Sequence, residues 1–257
     1  MIVDSHCHLN RLNLKDGETI AGAVEFARSR QIEHMLCVSI NLDDFLDMRS
    51  QVAEFKDVSI SCGIHPLDVE KPYTVEKLRE LCALPEVVAI GETGLDYHYS
   101  IETLERQQQS FRDHIKVAKE LNKPLIIHTR AAREDTIRIM REENAEQAGG
   151  VMHCYTEDLA MAQAAMEMGF YISFSGIVTF KNSLELKEVA KQIPLERMLV
   201  ETDSPYLAPV PYRSKSNQPA YVREVAEYLA ELKGISFEEF AQITSNNFYR
   251  LFSLAKN

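Results

Sequence analysis

Short apolar runs alternate with amphipathic stretches along most of this chain, and that alternation constrains the fold more than any other feature. The runs are Met1-Ile2-Val3, then residues 35–40, 58–63, 87–91, 124–127, 150–152, 170–174 and 198–200. Between them, helical periods fall at about 18–30, 43–54, 74–83, 103–121, 132–145, 158–168 and 183–192. Strands alternating with helices predict βαβ units and a parallel sheet. Eight strand runs without a G-x-G-x-x-G or G-x-x-x-x-G-K-[ST] loop favour a closed (β/α)₈ TIM barrel over a doubly wound nucleotide fold. Two further helices, about 220–232 and 237–253, close the chain, the second opening on the capping pattern Ser236-Phe237-Glu238-Glu239. The expectation is one domain spanning residues 1–257.

In such a barrel the chemistry sits at the C-terminal ends of the strands. Side chains that could ligate a metal fall there: His6 and His8 after the first strand, Glu92 after the fourth, His128 after the fifth, His153 after the sixth and Asp203 after the eighth. Period-two alternation points His6, His8 and Asp4 the same way, while Ser5 and Cys7 point the other. Four imidazoles and two carboxylates can hold two divalent cations with a carboxylate between them. Such a pair clamps the oxygens of a phosphoryl displacement and makes a nucleophilic water available near neutrality. A mononuclear four-ligand site is the intermediate case.

Around this set, His65 and Glu201 are also at strand ends, His65 as a substrate contact and Glu201 as a supporting acid. Arg130 is placed to grip a phosphate and Tyr155 to stack on a base or sugar; the alternatives are a surface ion pair and apolar packing. The segment 205–219 carries four prolines and reads as a substrate-shaping loop, with Lys181, Arg213 and Lys215 as contacts to a nucleic-acid backbone. His34 is expected at the opposite end of the barrel, His114 within a helix, and His98 in loop packing. Cys7 and Cys154 are expected to face away from the site, so neither is taken as a nucleophile.

The net charge of -11 gives no global basic footprint of the kind a nucleic-acid binder usually shows. A polyanionic substrate therefore needs cations at the site to reverse the local field. Five cysteines without a C-x-x-C predict reduced thiols rather than a disulfide framework or a cysteine zinc site. No basic leader precedes an apolar segment, and no apolar run approaches the roughly 18 residues of a membrane span. The expected location is the cytoplasm.

Six segments, taken together, resemble the TatD family of metal-dependent hydrolases. They are Asp4-Ser5-His6-Cys7-His8-Leu9, Gly63-Ile64-His65-Pro66, Gly91-Glu92-Thr93-Gly94-Leu95-Asp96-Tyr97, Lys123-Pro124 with Ile127-His128-Thr129-Arg130, Gly150-Val151-Met152-His153-Cys154-Tyr155 and Val200-Glu201-Thr202-Asp203-Ser204-Pro205-Tyr206. The stretch 209–220 is most similar to the bacterial YcfH-like branch. The resemblance implies a TIM barrel of the amidohydrolase type and a divalent-metal-dependent deoxyribonuclease removing nucleotides from 3′ ends. By it, His6, His8, Glu92 and Asp203 hold one metal, Glu92, His128 and His153 the second, and Glu92 is the bridge. Asp203 then orients or deprotonates the attacking water, and His65 meets the substrate phosphate. Asn10 stands where many members carry Asp.

The expected cofactor is a pair of Mg²⁺ or Mn²⁺ ions, and the histidine-rich set also suits zinc or iron. The expected partner is single-stranded DNA, with RNA as a second candidate, no membrane and no stable protein partner. A hydrolase of a small amide, lactone or phosphoester is the rival enzyme, because the same barrel and ligands suit carbonyl attack. A metal-holding binding protein is a further class.

Overall fold

The computed structural model describes residues 1–255. Eight parallel strands form one sheet in sequential order: β1 Ile2–Cys7, β2 Ile32–Cys37, β3 Val58–Cys62, β4 Val87–Asp96, β5 Leu125–Arg130, β6 Gly150–Met152, β7 Tyr171–Phe174 and β8 Met198–Val200. A parallel bridge between Cys7 and Ser204 brings the last strand's end back to the first. There the Asp203 amide donates to the His6 carbonyl (2.9 Å) and the His8 amide to the Ser204 carbonyl (2.8 Å). The fold is a (β/α)₈ barrel, as the alternation predicts.

The helices are α1 Ile20–Ser29, α2 Leu42–Val52, α3 Val75–Cys82, α4 Leu104–Leu121, α5 Arg133–Glu142, α6 Leu159–Glu167, α7 Leu184–Gln192, α8 Val222–Lys233 and α9 Phe237–Leu251. Side-chain oxygens of Thr19, Asn41, Thr74 and Asp158 accept from the amides that open α1, α2, α3 and α6. Ser236 does the same for α9 through the Glu239 amide. Asn122 and Gly234, both left-handed, end α4 and α8. No helix among the described residues is long and apolar enough to cross a membrane.

Two apolar clusters hold the barrel. The larger packs the helices against the outer face of the strands. In the second, Val3, Leu36, Val88, Ile126, Val151 and Leu199 meet Phe248 of α9 and Phe252, which caps its C-terminal end. Side chains from that many strands can share one cluster only inside the ring, so α9 plugs the end opposite the mouth. His34 packs on Phe248 and Tyr249 there, at ring distances of 5.6 and 5.8 Å, which places it at the far end as expected.

β5 runs on past the predicted 124–127 to Arg130, and two other strands depart further from the sequence reading. β2 begins at Ile32 and stops at Cys37, because Ser39 and Ile40 turn their carbonyls to the Glu92 and His65 amides instead of a strand partner. β4 runs past Gly91 to Asp96, where Thr93, Gly94, Leu95 and Asp96 pair with Ile127, His128, Thr129 and Arg130. This polar, glycine-bearing tail has poor strand propensity, and its neighbour supplies the pairing.

Two buried histidines make the fold acid-sensitive. His114 in α4 accepts from the Ile64 amide (3.0 Å) and donates to the Ser110 carbonyl (2.7 Å), so its neutral ring uses both nitrogens. Burial pushes His114 down to about 4, against the Ser110 bond and nearby Asp113. Burial likewise takes His34 to about 4. Both rings start from 6.5 when unfolded, so above that pH neither contributes a slope. As pH falls from 6.5 towards 4, the unfolded chain takes the proton and the native chain does not. Stability then drops by about 1.4 kcal/mol per pH unit per ring, to about 3 kcal/mol per ring. Denaturant titrations should show a flatter acid limb for His114→Gln, whose amide can keep both hydrogen bonds; an unchanged limb would contradict the assignment.

Candidate metal centre

The strand ends converge on Glu92, which is 3% exposed. Its Oε2 lies 3.4 Å from His6 Nε2 and 3.9 Å from His8 Nε2. Its Oε1 lies 2.6 Å from His153 Nε2, 3.2 Å from His128 Nδ1 and 3.4 Å from His65 Nε2. Asp203 Oδ1 completes the first side, 3.4 Å from His8 Nε2 and 3.7 Å from His6 Nε2. One carboxylate therefore faces two separate imidazole sets, one with each oxygen.

Hydrogen bonds on the outer nitrogens decide what three of the four rings can do, while His6 Nδ1 has no partner among the described residues. His8 Nδ1 donates to the Val38 carbonyl (2.8 Å), His128 Nε2 to Asp96 Oδ2 (3.0 Å) and His153 Nδ1 to Glu201 Oε1 (3.1 Å). In the neutral tautomer each inner nitrogen then presents a lone pair to the carboxylates. Lone pair against carboxylate is repulsive unless positive charge stands between them. This donor set fits divalent cations. His65 differs: the Leu67 amide donates to its Nδ1 (3.1 Å), so its Nε2 carries the proton and points it at Glu92. In that tautomer His65 is a donor at the mouth, although it also lies within ligating distance of Glu92 and His128.

The charge states agree. Burial opposes ionisation of Glu92, but His153, His65 and His128 hold its carboxyl well below the usual carboxylate range. Burial acts the same way on Asp203, and the His8 bond with the His6 and His153 charges keeps it low. His153 is driven in the other direction: burial would lower it, yet Glu92 and Glu201 raise it well above an ordinary histidine. Protons shared among these groups balance the buried carboxylates in the way cations would, so metal binding should release protons.

Several expected contacts fall elsewhere. Tyr155 is 1% exposed, packs edge-on against Phe174 and donates to the Asp158 carbonyl, so it is apolar packing and not a stacking platform. The cause is local. β6 ends at Met152 and Cys154 adopts a left-handed φ of 43°, which breaks the period-two alternation counted from His153. Cys154, expected to face away, is part of the mouth wall, with its sulfur 3.3 Å from Ser175 Oγ. Burial and the Asp203 and Glu201 carboxylates push that thiol up, so it stays protonated. Cys7 does turn away, its sulfur directed to the Leu36 carbonyl.

Arg213 lies over the Phe180 ring at 3.5 Å. Lys215 sits beside Tyr212 and lines a separate groove with Leu14 and Phe26. Neither borders the metal cavity, and Lys181 is simply exposed. Arg130 does border it, beside Tyr99. The cavity is about 680 Å³, with Ile40, Leu67, Ile177 and Leu207 as apolar wall. Asp96, given no role from sequence, holds His128; continuing the alternation from Glu92 through Gly94 would have found it. His98 is loop packing, edge-on to Tyr99.

The family model described as TatD related DNase matches residues 3–253. The chain belongs to the TatD family. Within it, the chain is 54% identical over 254 residues to a protein of Escherichia coli strain K12 named uncharacterized metal-dependent hydrolase YcfH, covering 98% of this chain and 96% of that one. It is 32% identical over 231 residues to a protein of Escherichia fergusonii named 3′-5′ ssDNA/RNA exonuclease TatD, covering 87% of this chain and 89% of that one. The crystal structure of the TatD homolog YjjV from Escherichia coli K12 superposes with a TM-score of 0.91 at 25% identity, covering 98% of each chain. TatD membership agrees with the six segments read from sequence, and the YcfH relative with the expected branch.

Proposed function

We propose that this protein is a two-metal 3′-5′ exonuclease acting on single-stranded DNA, and on RNA as well. At the coarser level the chain is a metal-dependent hydrolase of the TatD family. The observation that carries the finer reading is Glu92, whose two oxygens each face a different imidazole set. His6, His8, Glu92 and Asp203 would hold one cation, and Glu92, His128 and His153 the other. When bound, such a pair supplies Lewis-acid charge to the phosphate and lowers the pKa of the attacking water.

The chain's own groups do the rest. Asp203 is ionised and its side chain is 15% exposed, so it can take the proton of the attacking water. As the water oxygen bonds to phosphorus, the bond to the O3′ of the preceding nucleotide breaks, that O3′ takes a proton from solvent to become the new 3′-hydroxyl, and a nucleoside 5′-phosphate is released. His65 Nε2–H donates to a phosphate oxygen, and Arg130 supplies a cation at the rim. Val38, Asp96 and Glu201 fix the His8, His128 and His153 rings in the tautomers the cations need.

The apolar wall and the absence of Arg213 and Lys215 from the cavity favour a second reading, a hydrolase of small amides, lactones or phosphoesters. Metal-stripped protein given back Mg²⁺ or Mn²⁺ should shorten 5′-labelled single-stranded DNA from its 3′ end. Asp203→Asn should slow this by roughly 10²–10⁴-fold. No products from metal-loaded protein would shift the assignment to the small-molecule reading.

A further inference from the structure

Two tyrosines stand open at the mouth, one on each side of Glu92. Tyr99 is 62% exposed and Tyr206 is 53% exposed, and both border the metal cavity. Neither hydroxyl has a hydrogen-bond partner among the described residues. Scattered exposed aromatics are common, but these two are tied to the metal centre itself.

On the His128 side, Asp96 uses its two oxygens for two tasks. Oδ2 accepts from His128, while Oδ1 accepts from the His98 and Tyr99 amides at 3.0 and 2.9 Å. One carboxylate thus sets both a candidate ligand and the turn that carries the Tyr99 ring. The Arg130 guanidinium lies 4.5 Å over that ring and makes no ion pair among the described residues. On the other side, the Tyr206 amide donates to the Asp203 carbonyl (3.0 Å), and Asn217 pins the Tyr206 carbonyl (2.6 Å). The Tyr206 ring stands 6.3 Å from the His8 ring. Hydrogen bonds therefore fix the backbone of each tyrosine relative to one half of the metal centre.

We propose that Tyr99 and Tyr206 are nucleobase platforms that hold the two bases flanking the scissile phosphate of a single strand, Tyr99 with Arg130 on the His128 side and Tyr206 on the His8 side. This rests on the exonuclease reading and adds to it how the substrate is recognised. A phosphodiester seated between Glu92, Asp203 and His65 carries one base in each direction; one meets Tyr206, and the other meets the layer that Tyr99 forms with Arg130 over its ring and His98 edge-on beside it. Stacking accepts any base, because every base has a π-face, so recognition is tolerant of sequence and demands unpaired bases. An unpaired arginine against one platform suits the adjacent phosphate in a protein whose net charge is -11.

The test uses full-length metal-loaded enzyme and three 5′-labelled oligothymidylates: one intact, one abasic at the 3′-terminal position and one abasic at the penultimate position. Stacking of ordinary strength corresponds to about tenfold in kcat/KM per base, so the wild type should prefer the intact strand by about that factor over each abasic strand. Tyr99→Ala should lose discrimination at one position and Tyr206→Ala at the other, while the phenylalanine variants keep both. Cleavage with no preference for bases, or alanine variants that discriminate like the wild type, would overturn the platforms and leave the nuclease reading standing. Failure of the wild type to cleave any of the three would overturn both.

Discussion

Glu92→Gln is expected, on the proposed two-cation nuclease reading, to lower metal content from two ions per chain to fewer than one and to slow phosphodiester hydrolysis by about a thousandfold, with the fold intact. The two Glu92 oxygens lie 3.4 Å from His6 Nε2 and 2.6 Å from His153 Nε2, so one charge faces both sides. Glutamine keeps the shape but removes that charge, and turns an amide N–H₂ towards one set of rings. Losing about 4 kcal/mol of charge stabilisation at the reacting phosphate corresponds to about a thousandfold. The barrel does not depend on this charge, since its clusters are apolar and its strands pair through backbone. Elemental analysis beside far-ultraviolet circular dichroism checks both halves. A folded variant that retains two ions per chain would remove the bridge from the account.

Gly94→Ala should be the most damaging single methyl in the site region. Gly94 has a φ of +134°, outside the range open to side chains, and an added Cβ would lie 2.0 Å from the His128 carbonyl oxygen. The obstruction is backbone on the neighbouring strand, so no rotamer change relieves it. Either β4 and β5 separate or His128 moves. Overpacking together with backbone strain should cost about 3 kcal/mol or more, a fall in melting temperature of about 8 °C for a domain of this size. The His128–His153 side of the metal centre should weaken more than the His6–His8 side. A wild-type melting temperature with full metal content would contradict this packing.

The strands and the meeting of the candidate ligands were legible because they obey simple periodicities. An apolar run followed by a histidine or acid marks a strand's C-terminal end wherever the barrel places it, and His6, His8, Glu92, His128, His153 and Asp203 all meet in the structure. What could not be read lies beyond the strands, where alternation stops. Tyr155 was misplaced because Cys154 takes a left-handed turn. Arg213 and Lys215 were misplaced because a proline-rich loop can lie along the barrel rim without turning its cations inwards, and here Phe180 and Tyr212 hold them. The tautomer of His65 rests on one backbone amide, that of Leu67, which no spacing reveals. Tyr99 and Tyr206 escaped for the same reason, since their positions follow from bonds to Asp96 and Asp203 rather than from period.

The most direct test of the account is anomalous diffraction from crystals of the protein soaked in Mn²⁺. Two peaks are expected, one among His6, His8 and Asp203 and the other among His128 and His153, with Glu92 between them. A single peak at full occupancy, or two peaks of which neither touches Glu92, would contradict the two-cation centre and the phosphodiester chemistry built on it.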